Sequence, residues 1–508
     1  MLTIDNMGQI NIHDVVKVAR KGEKVELSDT AKSAITKSRC FVEDILSESK
    51  VVYGISTGFG EFSKITISGS DRERLQRNLI LSHCVGVGEL FSEDVVRGIM
   101  LLRVNSLARG YSGIRLSTVE KLIELLNKNI TPAVPQKGSV GASGDLAPLS
   151  HVAAVLLGEG FVMAGGKAVE AAPVLKQAGF EPIELAAKEG LALINGTQVM
   201  TSVGALTCYD AKHLLMLADI AAGLSLEALR GTLQAFDPRI AKIRPHPGQL
   251  ECVENIQKLT SGSQIMASHI DCKKVQDAYS LRCASQVHGA SREALRRVEE
   301  TLNIEMNSVT DNPIVMADTG EIISAGNFHG QPVALVMDYF KTAMAEIGNI
   351  SERRINRLVD PHLSGLPAFL TSNGGVNSGM MIAQYTAASL VSENKVLAHP
   401  ASVDSIPTSA NQEDHVSMGT IAARQAREIL ENVRYVLAIE MMAAAQGIDY
   451  IEGLKPGKGT HAAHKLIRSV VPVLTEDRIL NTDFDKIYDL IVSESLVTEV
   501  ESAVGKLV

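Results

Sequence analysis

Apolar residues recur at three- and four-residue spacing over several long stretches of this chain. Such spacing is typical of helices that bury one face against their neighbours. It predicts long helices at residues 198–233, 331–356, 382–397 and 416–446. Helices of this length pack side by side, so we expect a mainly α-helical protein built around a long central helical bundle.

The flanking parts of the chain are patterned differently. Glycine and proline punctuate residues 1–195, which predicts loops between shorter helices. A β-branched run at residues 161–169 indicates a hairpin, and a glycine- and proline-rich loop at 453–459 precedes what we expect to be two shorter amphipathic helices. We therefore predict a loop-rich N-terminal part (1–195), a central bundle (196–448) and a C-terminal helical segment (449–508).

The composition favours a helical fold and restricts the possible partners. Tryptophan is absent and aromatic residues total 4%, which favours helix over sheet. The formal net charge of −9 is unlike that of a nucleic-acid-binding protein, so we expect no nucleic-acid partner. The most apolar long stretch, residues 201–229, contains Asp210, Lys212 and Asp219, so we predict a buried helix and no membrane span.

The N-terminus and the cysteines indicate a cytoplasmic protein. Residues 1–10 hold Asp5 and no apolar core, unlike a secretory signal. The six cysteines show no CxxC spacing, so we expect reduced thiols in a cytoplasm. His461 and His464 are the strongest metal-ligand spacing, but without an HExxH or cysteine cluster we expect them at the surface and predict no metal site.

The segment GSVGASGDLAPLS, from residue 138, is the first candidate for chemistry. One interpretation is a turn that leads into a helix, with Ser143 or Asp145 as N-cap. The other concerns Ala142, Ser143 and Gly144. If the backbone bends tightly, the Gly144 amide nitrogen can attack the Ala142 carbonyl carbon. Loss of two water molecules then leaves an exocyclic methylene on a five-membered imidazolone, which is an electrophile that no standard side chain supplies.

Further segments each allow an ordinary and a functional interpretation. VYGISTGFG, from residue 52, is either a loop with a packed tyrosine or a loop that presents Tyr53 to a site. His83, in LSHCVGVGE, is either a core histidine or a pocket residue. In KVQDAYSLRCASQ, a helix would align Gln276, Tyr279 and Arg282 along one solvated or ligand-facing arc. In NQEDHVSM, the glutamate at position 413 is either an acid near a helix N-terminus or a pocket carboxylate.

Together these strings resemble those of the aromatic amino acid ammonia-lyase family, whose prosthetic group is 4-methylidene-imidazol-5-one (MIO). The match of GASGDLAPLSH to the MIO-forming loop is highly specific, and the resemblance runs from Tyr53 to the KPGKGTHAA segment that starts at Lys455. It implies a fold of the fumarase/aspartase-like type and an MIO group made from Ala142, Ser143 and Gly144, with no external cofactor. It also implies a homotetramer in which each site is drawn from three chains.

The same resemblance implies a role for individual residues. Tyr53 matches the catalytic base, and Arg282 matches a bidentate clamp on the substrate carboxylate. Tyr279 and Gln276 would hold the substrate and the MIO oxygen. The remaining matches are Asn195 in LALINGTQ, which hydrogen-bonds the MIO group in the family, Asn312 in SVTDNP and Phe328 in AGNFHG.

Two positions indicate the substrate. His83 falls at the family's side-chain selector position, although Cys84 stands where histidine-specific members typically have alanine. Glu413 falls where histidine lyases tend to carry glutamate and phenylalanine or tyrosine lyases carry glutamine. A carboxylate accepts the imidazole N–H, whereas a benzene ring offers no donor. The resemblance therefore implies a histidine-specific member that deaminates L-histidine non-oxidatively to trans-urocanate and ammonia, the first step of histidine degradation.

Other functions stay open at this point. The chain could be a tyrosine or phenylalanine ammonia-lyase, against which Glu413 argues, or an MIO-dependent aminomutase that returns the ammonia to the β carbon. A helical scaffold or metabolite-binding relative without MIO would need a broken Ala-Ser-Gly loop or a missing Tyr53, and both are intact. Product analysis separates the lyase from the mutase.

Overall fold

The computed structural model of the protein describes residues 1–48, 71–270 and 275–508, and most of them are helical. The helices are α1 (Ile12–Lys21), α2 (Asp29–Ser47), α3 (Arg72–His83), α4 (Glu93–Ala108), α5 (Leu116–Asn127), α6 (Leu146–Leu156), α7 (Ala171–Gln177), α8 (Glu189–Ile194), α9 (Gln198–Ala228), α10 (Pro238–Ile243), α11 (Pro247–Leu259), α12 (Gln264–Ala267), α13 (Tyr279–Arg282), α14 (Ala284–Met306), α15 (Gln331–Val359), α16 (Pro361–Ser364), α17 (Met381–Leu397), α18 (Gly419–Asp449), α19 (Lys458–Val470), α20 (Asn481–Val492) and α21 (Ser495–Val504). Short 3-10 helices lie at Leu233–Phe236, Ala368–Leu370 and Ser409–Asn411.

The described strands are short and form two-stranded pairs. They are β1 (Leu2–Ile4), β2 (Val25–Leu27), β3 (Val87–Leu90), β4 (Pro135–Lys137), β5 (Phe161–Ala164), β6 (Lys167–Glu170), β7 (Ile314–Met316) and β8 (Glu321–Ile323). β1 and β2 are parallel, whereas β3–β4, β5–β6 and β7–β8 are antiparallel. The β5–β6 pair confirms the predicted hairpin, with Phe161 opposite Glu170 and Ala164 opposite Lys167.

The long helices predicted from periodicity are present as α9, α15, α17 and α18, so the mainly α-helical fold class is confirmed. Their ends are set by contacts that periodicity does not reveal. α9 stops at Ala228, before the predicted end, and Arg230 then adopts a left-handed φ of 47°. α18 begins only at Gly419, because Met418 has a φ of 56° and its N–H donates to the Val140 carbonyl at 2.9 Å.

Two further expectations concern α9 and the C-terminal segment. Most residues of α9 are buried, and even the Asp219 side chain is not exposed to solvent, which agrees with the predicted buried helix. Within the described residues, no helix combines the length and the apolar character needed to cross a membrane. The expectation of two helices after the glycine-rich loop is wrong, because α19, α20 and α21 follow it. Glu494, with a left-handed φ of 61°, separates α20 from α21.

The described residues divide into two compact units. Unit 1 comprises Met1–Tyr209, Glu299–Asp338 and Pro400–Arg424, and unit 2 comprises Asp210–Val298, Tyr339–His399 and Gln425–Val508. Each unit has its own buried apolar core, which includes Ile99 and Leu102 in unit 1 and Ile439 and Met442 in unit 2. The three-part division of the chain at residues 195 and 448 stays a prediction.

Candidate active site

The Ala142–Ser143–Gly144 tripeptide lies in unit 1, in the loop between β4 and α6. Gly144 has a left-handed φ of 74°, a conformation that favours glycine. Its backbone lies directly against Gly196, since a Cβ added to Gly144 would overlap the Gly196 carbonyl group. The next residue fixes the same contact, because the Asp145 N–H donates to the Gly196 carbonyl at 2.7 Å. The tripeptide is therefore a tightly bent loop pressed against a second loop.

Asp145 fastens this loop to the core. Its carboxylate accepts hydrogen bonds from the Ser139 hydroxyl at 2.8 Å, from the Thr420 hydroxyl, and from the backbone N–H groups of Val199 and Met200 at 3.0 Å each. Burial raises the pKa of the Asp145 carboxyl group, and these hydrogen bonds oppose the shift. Asp145 occupies the N-cap position of α6, but its side chain makes no capping hydrogen bond there. The segment is thus a turn that leads into a helix with Asp145 at its N-cap position, as one interpretation predicts, but the Asp145 side chain bonds the neighbouring loops and does not cap the helix.

Ser143 connects two residues that were predicted from the sequence. Asn195 donates from Nδ2 to the Ser143 carbonyl oxygen at 2.7 Å. The Ser143 hydroxyl donates to Oε1 of Glu413 at 2.9 Å. The second carboxylate oxygen, Oε2, accepts from the Thr408 hydroxyl at 2.9 Å. Glu413 is therefore held at the tripeptide by a hydroxyl on each of its oxygens.

The loop that carries Glu413 is held in place from both ends. Thr408 and Glu413 form an antiparallel β-bridge, with the Thr408 N–H donating to the Glu413 carbonyl at 3.0 Å. Farther along, Val416 and Met418 pack with Ala142 in one buried apolar cluster. Since α18 begins only at Gly419, Glu413 lies outside its first turn. The alternative interpretation of Glu413 as an acid near a helix N-terminus is wrong.

His83 is the last residue of α3 and is half-buried. Its Nδ1 lies 3.1 Å from the Ser82 hydroxyl. Burial lowers the pKa of the His83 imidazole, and the nearby charge of Glu413 opposes this shift. The charge of Glu413 therefore reaches the His83 imidazole. Burial also raises the pKa of the neighbouring Cys84 thiol, so Cys84 is a neutral neighbour of the site.

Asn312 and Phe328 lie in the same unit. Asn312 is buried, and its Oδ1 accepts from the Ala325 N–H at 2.7 Å, so its amide joins the segments on either side of the β7–β8 hairpin. Phe328 is partly buried in the turn that precedes α15. The structure thus brings Ser143, Asn195 and Glu413 into direct contact, whereas Asn312 and Phe328 contribute to the surrounding loops.

Gln276, Tyr279 and Arg282 belong to unit 2. A single helix through all three, on which their alignment would depend, does not form, because α13 contains only Tyr279–Arg282 and Gln276 lies in irregular chain before it. The buried Asp277 accounts for this difference, since its Oδ2 accepts from the Thr232 N–H at 2.6 Å and holds the segment against another loop. The Arg282 guanidinium lies 4.6 Å from the centre of the Tyr279 ring, a cation–π contact.

The backbone of α13 is supported by a buried ion pair that sequence reasoning missed. Arg354 donates to both carboxylate oxygens of Glu440, from Nε at 2.5 Å and from NH2 at 2.9 Å. Ser225 and Ser351 donate to the same carboxylate, at 2.6 Å each. The remaining nitrogen, NH1, lies 3.4 Å from the Ser280 carbonyl oxygen in α13. Arg354 therefore links the core of unit 2 to the helix that carries Tyr279 and Arg282.

A buried cluster of Asp219, Cys252 and His288 also lies in unit 2 and has donor atoms suited to a metal ion, all within 4.8 Å of one another. These atoms already hydrogen-bond, because Asp219 Oδ1 lies 2.7 Å from His288 Nδ1 and accepts from the Cys252 thiol at 3.1 Å. Arg292 donates to the other oxygen of Asp219 at 2.8 Å and adds a positive charge. We interpret the cluster as a hydrogen-bonded part of the core.

The remaining sequence predictions have separate outcomes. Tyr53 lies outside the described residues. His461 is exposed as expected, whereas His464 is half-buried and hydrogen-bonds through Nε2 to Asp449 at 2.8 Å. Asp145, inside the GASGDLAPLSH string, is expected from the sequence only as an N-cap, and its bonds to Ser139 and to the start of α9 are not predicted. Thr408 and Arg354 carry no comparable signal, because each stands among other polar residues, in PTSANQED and SERRINR, and nothing local distinguishes it from them.

Known proteins resemble this chain over almost its whole length. The family model of the aromatic amino acid lyases matches residues 10–469. A histidine ammonia-lyase of Alkaliphilus oremlandii is 57% identical over 98% of this chain and 98% of its own length. The crystal structure of histidine ammonia-lyase from Trypanosoma cruzi has a TM-score of 0.92 at 44% identity, covering 99% of this chain and 96% of that one. Tyrosine aminomutase from Streptomyces globisporus has a TM-score of 0.94 at 38% identity, with both chains covered completely (100%). The chain therefore belongs to the aromatic amino acid lyase family.

Proposed function

We propose that the protein is a histidine ammonia-lyase, which converts L-histidine to trans-urocanate and ammonia. The observation that carries this proposal is the position of Glu413, whose Oε1 lies 2.9 Å from the Ser143 hydroxyl. A carboxylate at the tripeptide, within the electrostatic range of His83, offers an acceptor for an imidazole N–H. The names of the relatives from Alkaliphilus oremlandii and Trypanosoma cruzi support the same substrate.

The residues around the tripeptide fit the formation of an MIO group. Gly144 has the left-handed φ that a tight bend requires, and its contact with Gly196 leaves no room for a side chain. Asn195 Nδ2 donates to the Ser143 carbonyl oxygen, which would become the carbonyl oxygen of the imidazolone. When formed, MIO supplies an electrophilic methylene that binds the substrate amino nitrogen and makes it a better leaving group. The family depends on MIO in general, and we propose that this chain forms the MIO group as well.

The chain's own residues then have distinct tasks. Glu413, with His83 beside it, accepts the imidazole N–H and fixes the orientation of the ring. Arg282 binds the substrate carboxylate through its planar guanidinium, and Tyr279 and Gln276 hold the substrate. Tyr53 removes the β proton, which requires a phenol pKa well below about 10. Because that proton is very weakly acidic, positioning by these groups supplies much of the reduction in the barrier.

Tyr279 and Arg282 also support the proposal of a homotetramer with shared sites. Tyr279 is 71% exposed although it carries a proposed substrate contact. The Arg282 guanidinium lies 4.6 Å from the centre of its ring, so the two side chains lie together and the Tyr279 ring reaches the surface of unit 2. Side chains at such a surface can contribute to the active site of a neighbouring subunit, as the family resemblance implies.

The proposal is tested by incubating the purified protein with L-histidine, L-tyrosine and L-phenylalanine and recording ultraviolet absorbance. Histidine is expected to give rising absorbance from the conjugated product, with equimolar ammonia. Tyrosine and phenylalanine are expected to give none. A rise with tyrosine and none with histidine would reverse the substrate assignment, and a β-amino acid in place of urocanate would identify an aminomutase. The Ser143→Ala variant is the control, since it lacks the hydroxyl whose loss leaves the exocyclic methylene.

A further inference from the structure

Arg103 is a fully buried arginine in α4, with 1% of its surface exposed. Its NH1 donates to the Asn195 carbonyl oxygen and to the Gln198 side-chain oxygen, at 2.8 Å each. Gln198 in turn donates from Nε2 to the Thr310 hydroxyl at 2.8 Å. One guanidinium nitrogen therefore holds both the loop that contains Asn195 and the first residue of α9.

Burying this guanidinium is costly. Among the residues that the structure describes, Nε and NH2 of Arg103 have no hydrogen-bond partner. Burial lowers the pKa of Arg103 to about 10, with an opposing effect of Asp311, so the group stays charged at neutral pH. An apolar side chain would fill the same volume without leaving polar atoms unpaired. The two hydrogen bonds that NH1 donates therefore explain why an arginine stands at this position.

Those bonds support Gly196 from one side, and the tripeptide lies on its other side. A Cβ added to Gly196 would come within 2.5 Å of Arg103 NH1 and 2.7 Å of the Thr310 hydroxyl. On the tripeptide side, the Gly196 carbonyl accepts from the Asp145 N–H at 2.7 Å, and a Cβ on Gly144 would overlap it. Gly196 is thus enclosed between the Arg103 guanidinium and the backbone of Gly144.

We propose that Arg103 is a positioning residue for closure of the MIO ring, an inference that rests on the proposed function. By holding the Asn195 carbonyl, Arg103 keeps Asn195 Nδ2 on the Ser143 carbonyl and keeps Gly196 pressed against Gly144. Both contacts maintain the bend that brings the Gly144 nitrogen to the Ala142 carbonyl carbon. Arg103 touches none of the reacting atoms and acts through Asn195 and Gly196.

The step that Arg103 assists needs no oxidant or further reactant. A bond forms between the Gly144 nitrogen and the Ala142 carbonyl carbon. The Ala142 oxygen leaves as water with one hydrogen from the Gly144 nitrogen and one from the Ser143 nitrogen. A second water consists of the Ser143 hydroxyl and the hydrogen on its α carbon, and its loss leaves the exocyclic double bond. The chain therefore becomes lighter by two water molecules, which intact mass reports independently of activity.

The test compares Arg103 with Arg97, a second buried arginine of α4. Arg97 donates to backbone carbonyl groups of Val18, Ala19 and Leu126, none of which belongs to the tripeptide or the Asn195 loop. Wild type and the variants Arg103→Met, Arg103→Lys, Arg97→Met and Arg97→Lys are synthesised in a cell-free system, quenched with acid at intervals and weighed as intact chains. Losing a charged, buried hydrogen bond is expected to slow the loss of two waters roughly 10-fold in Arg103→Met. Arg103→Lys, which keeps a charged donor, is expected to lie between it and the Arg97 variants.

Each outcome decides a different question. If wild type never loses two waters, the proposed MIO group is wrong, whatever Arg103 does. If wild type loses them and both Arg103 variants do so at the rate of the matching Arg97 variants, the positioning role is wrong. Circular dichroism and melting temperature, measured in a Ser143→Ala background, give the cost to the fold separately from cyclisation. If Arg103→Met does not fold, the comparison of Arg103→Lys with Arg97→Lys decides.

Discussion

Replacing Glu413 by glutamine changes the charge and hydrogen-bonding of the proposed imidazole contact and almost nothing else. The two side chains have the same shape, and the Thr408 hydroxyl that donates to the carboxylate can rotate to meet an amide. The Ser143 hydroxyl, which donates to the other oxygen in the uncyclised chain, leaves when the MIO group forms. Glu413 is half-buried and lies outside the helices. We therefore expect a change in the free energy of unfolding of no more than about 1 kcal/mol.

The effect on histidine turnover is expected to be much larger. A hydrogen bond to a charged, partly buried group contributes about 1.5–3 kcal/mol, which corresponds to a fall in kcat/KM of roughly 10- to 100-fold. The positive influence of Glu413 on the pKa of His83 is also lost, so the His83 imidazole becomes harder to protonate. Discrimination against tyrosine and phenylalanine is expected to weaken, because a neutral amide costs less than a carboxylate to leave without a partner beside these rings.

The assay is the initial rate of urocanate formation over a range of histidine concentrations, with melting temperature recorded on the same samples. Asp414→Asn is the matched control, since it removes the same charge from the neighbouring, exposed position. Glu413→Gln with the kcat/KM of wild type would refute the reasoning and leave Glu413 without a role in recognition. An equal loss in Asp414→Asn would show that the local charge, and not the position of the carboxylate, determines the rate.

Other predictions concern unit 2. Arg354→Lys keeps a cation for Glu440, but lysine cannot also reach the Ser280 carbonyl. The KM for histidine is therefore expected to rise several-fold more in Arg354→Lys than in the control Arg292→Lys. Equal KM values in the two variants would contradict the proposed support of α13. Tyr279→Phe is expected to lower kcat/KM about 10-fold with an unchanged melting temperature, because it removes only the hydroxyl and keeps the ring that Arg282 contacts. A drop in melting temperature with normal kinetics would indicate a structural role instead. Acid is expected to destabilise the fold in two stages. Burial lowers the pKa of His288, so the unfolded chain takes up a proton there that the folded one refuses as the pH falls below about 6.5. The pKa of Asp219 is lowered to about 2 against the opposing effect of burial, mainly by Arg292, so its stabilisation is present above about pH 4 and is lost as the pH falls towards 2. Urea unfolding of wild type and His288→Gln between pH 7 and 5 checks the first stage, and a slope that His288→Gln leaves unchanged would contradict it.

Much of the fold follows from the period of the apolar positions. α15 begins at the predicted residue, Gln331, and α17 ends at the predicted residue, Leu397. What periodicity cannot supply is the point at which a distant contact overrides a helical pattern. The Val140 carbonyl holds the Met418 N–H outside α18, and Asp277 holds the irregular chain before α13 against the loop at Thr232. Both contacts join segments that are far apart in the sequence, so no local window contains the cause.

The site residues could be predicted from the sequence for a different reason than the helices. Ser143 and Glu413 are 270 positions apart, and no spacing rule predicts that their oxygens lie 2.9 Å from each other. The family strings alone placed them together. Arg103 has no such string and sits in a helix that is buried on nearly every side, so its sequence surroundings resemble those of any core helix. Residues that act by supporting another loop become visible only when their hydrogen bonds can be traced.

The central claim is that Ala142, Ser143 and Gly144 form an electrophile in this chain. The most direct test is the mass of the proteolytic peptide that contains them, with fragmentation to locate any difference from the sequence. We predict that the peptide is lighter than its sequence requires by two water molecules, with the whole deficit between Ala142 and Gly144, and that the two-water deficit is absent in Ser143→Ala. A wild-type peptide with the full mass, in protein that nevertheless converts histidine to urocanate, would contradict the claim.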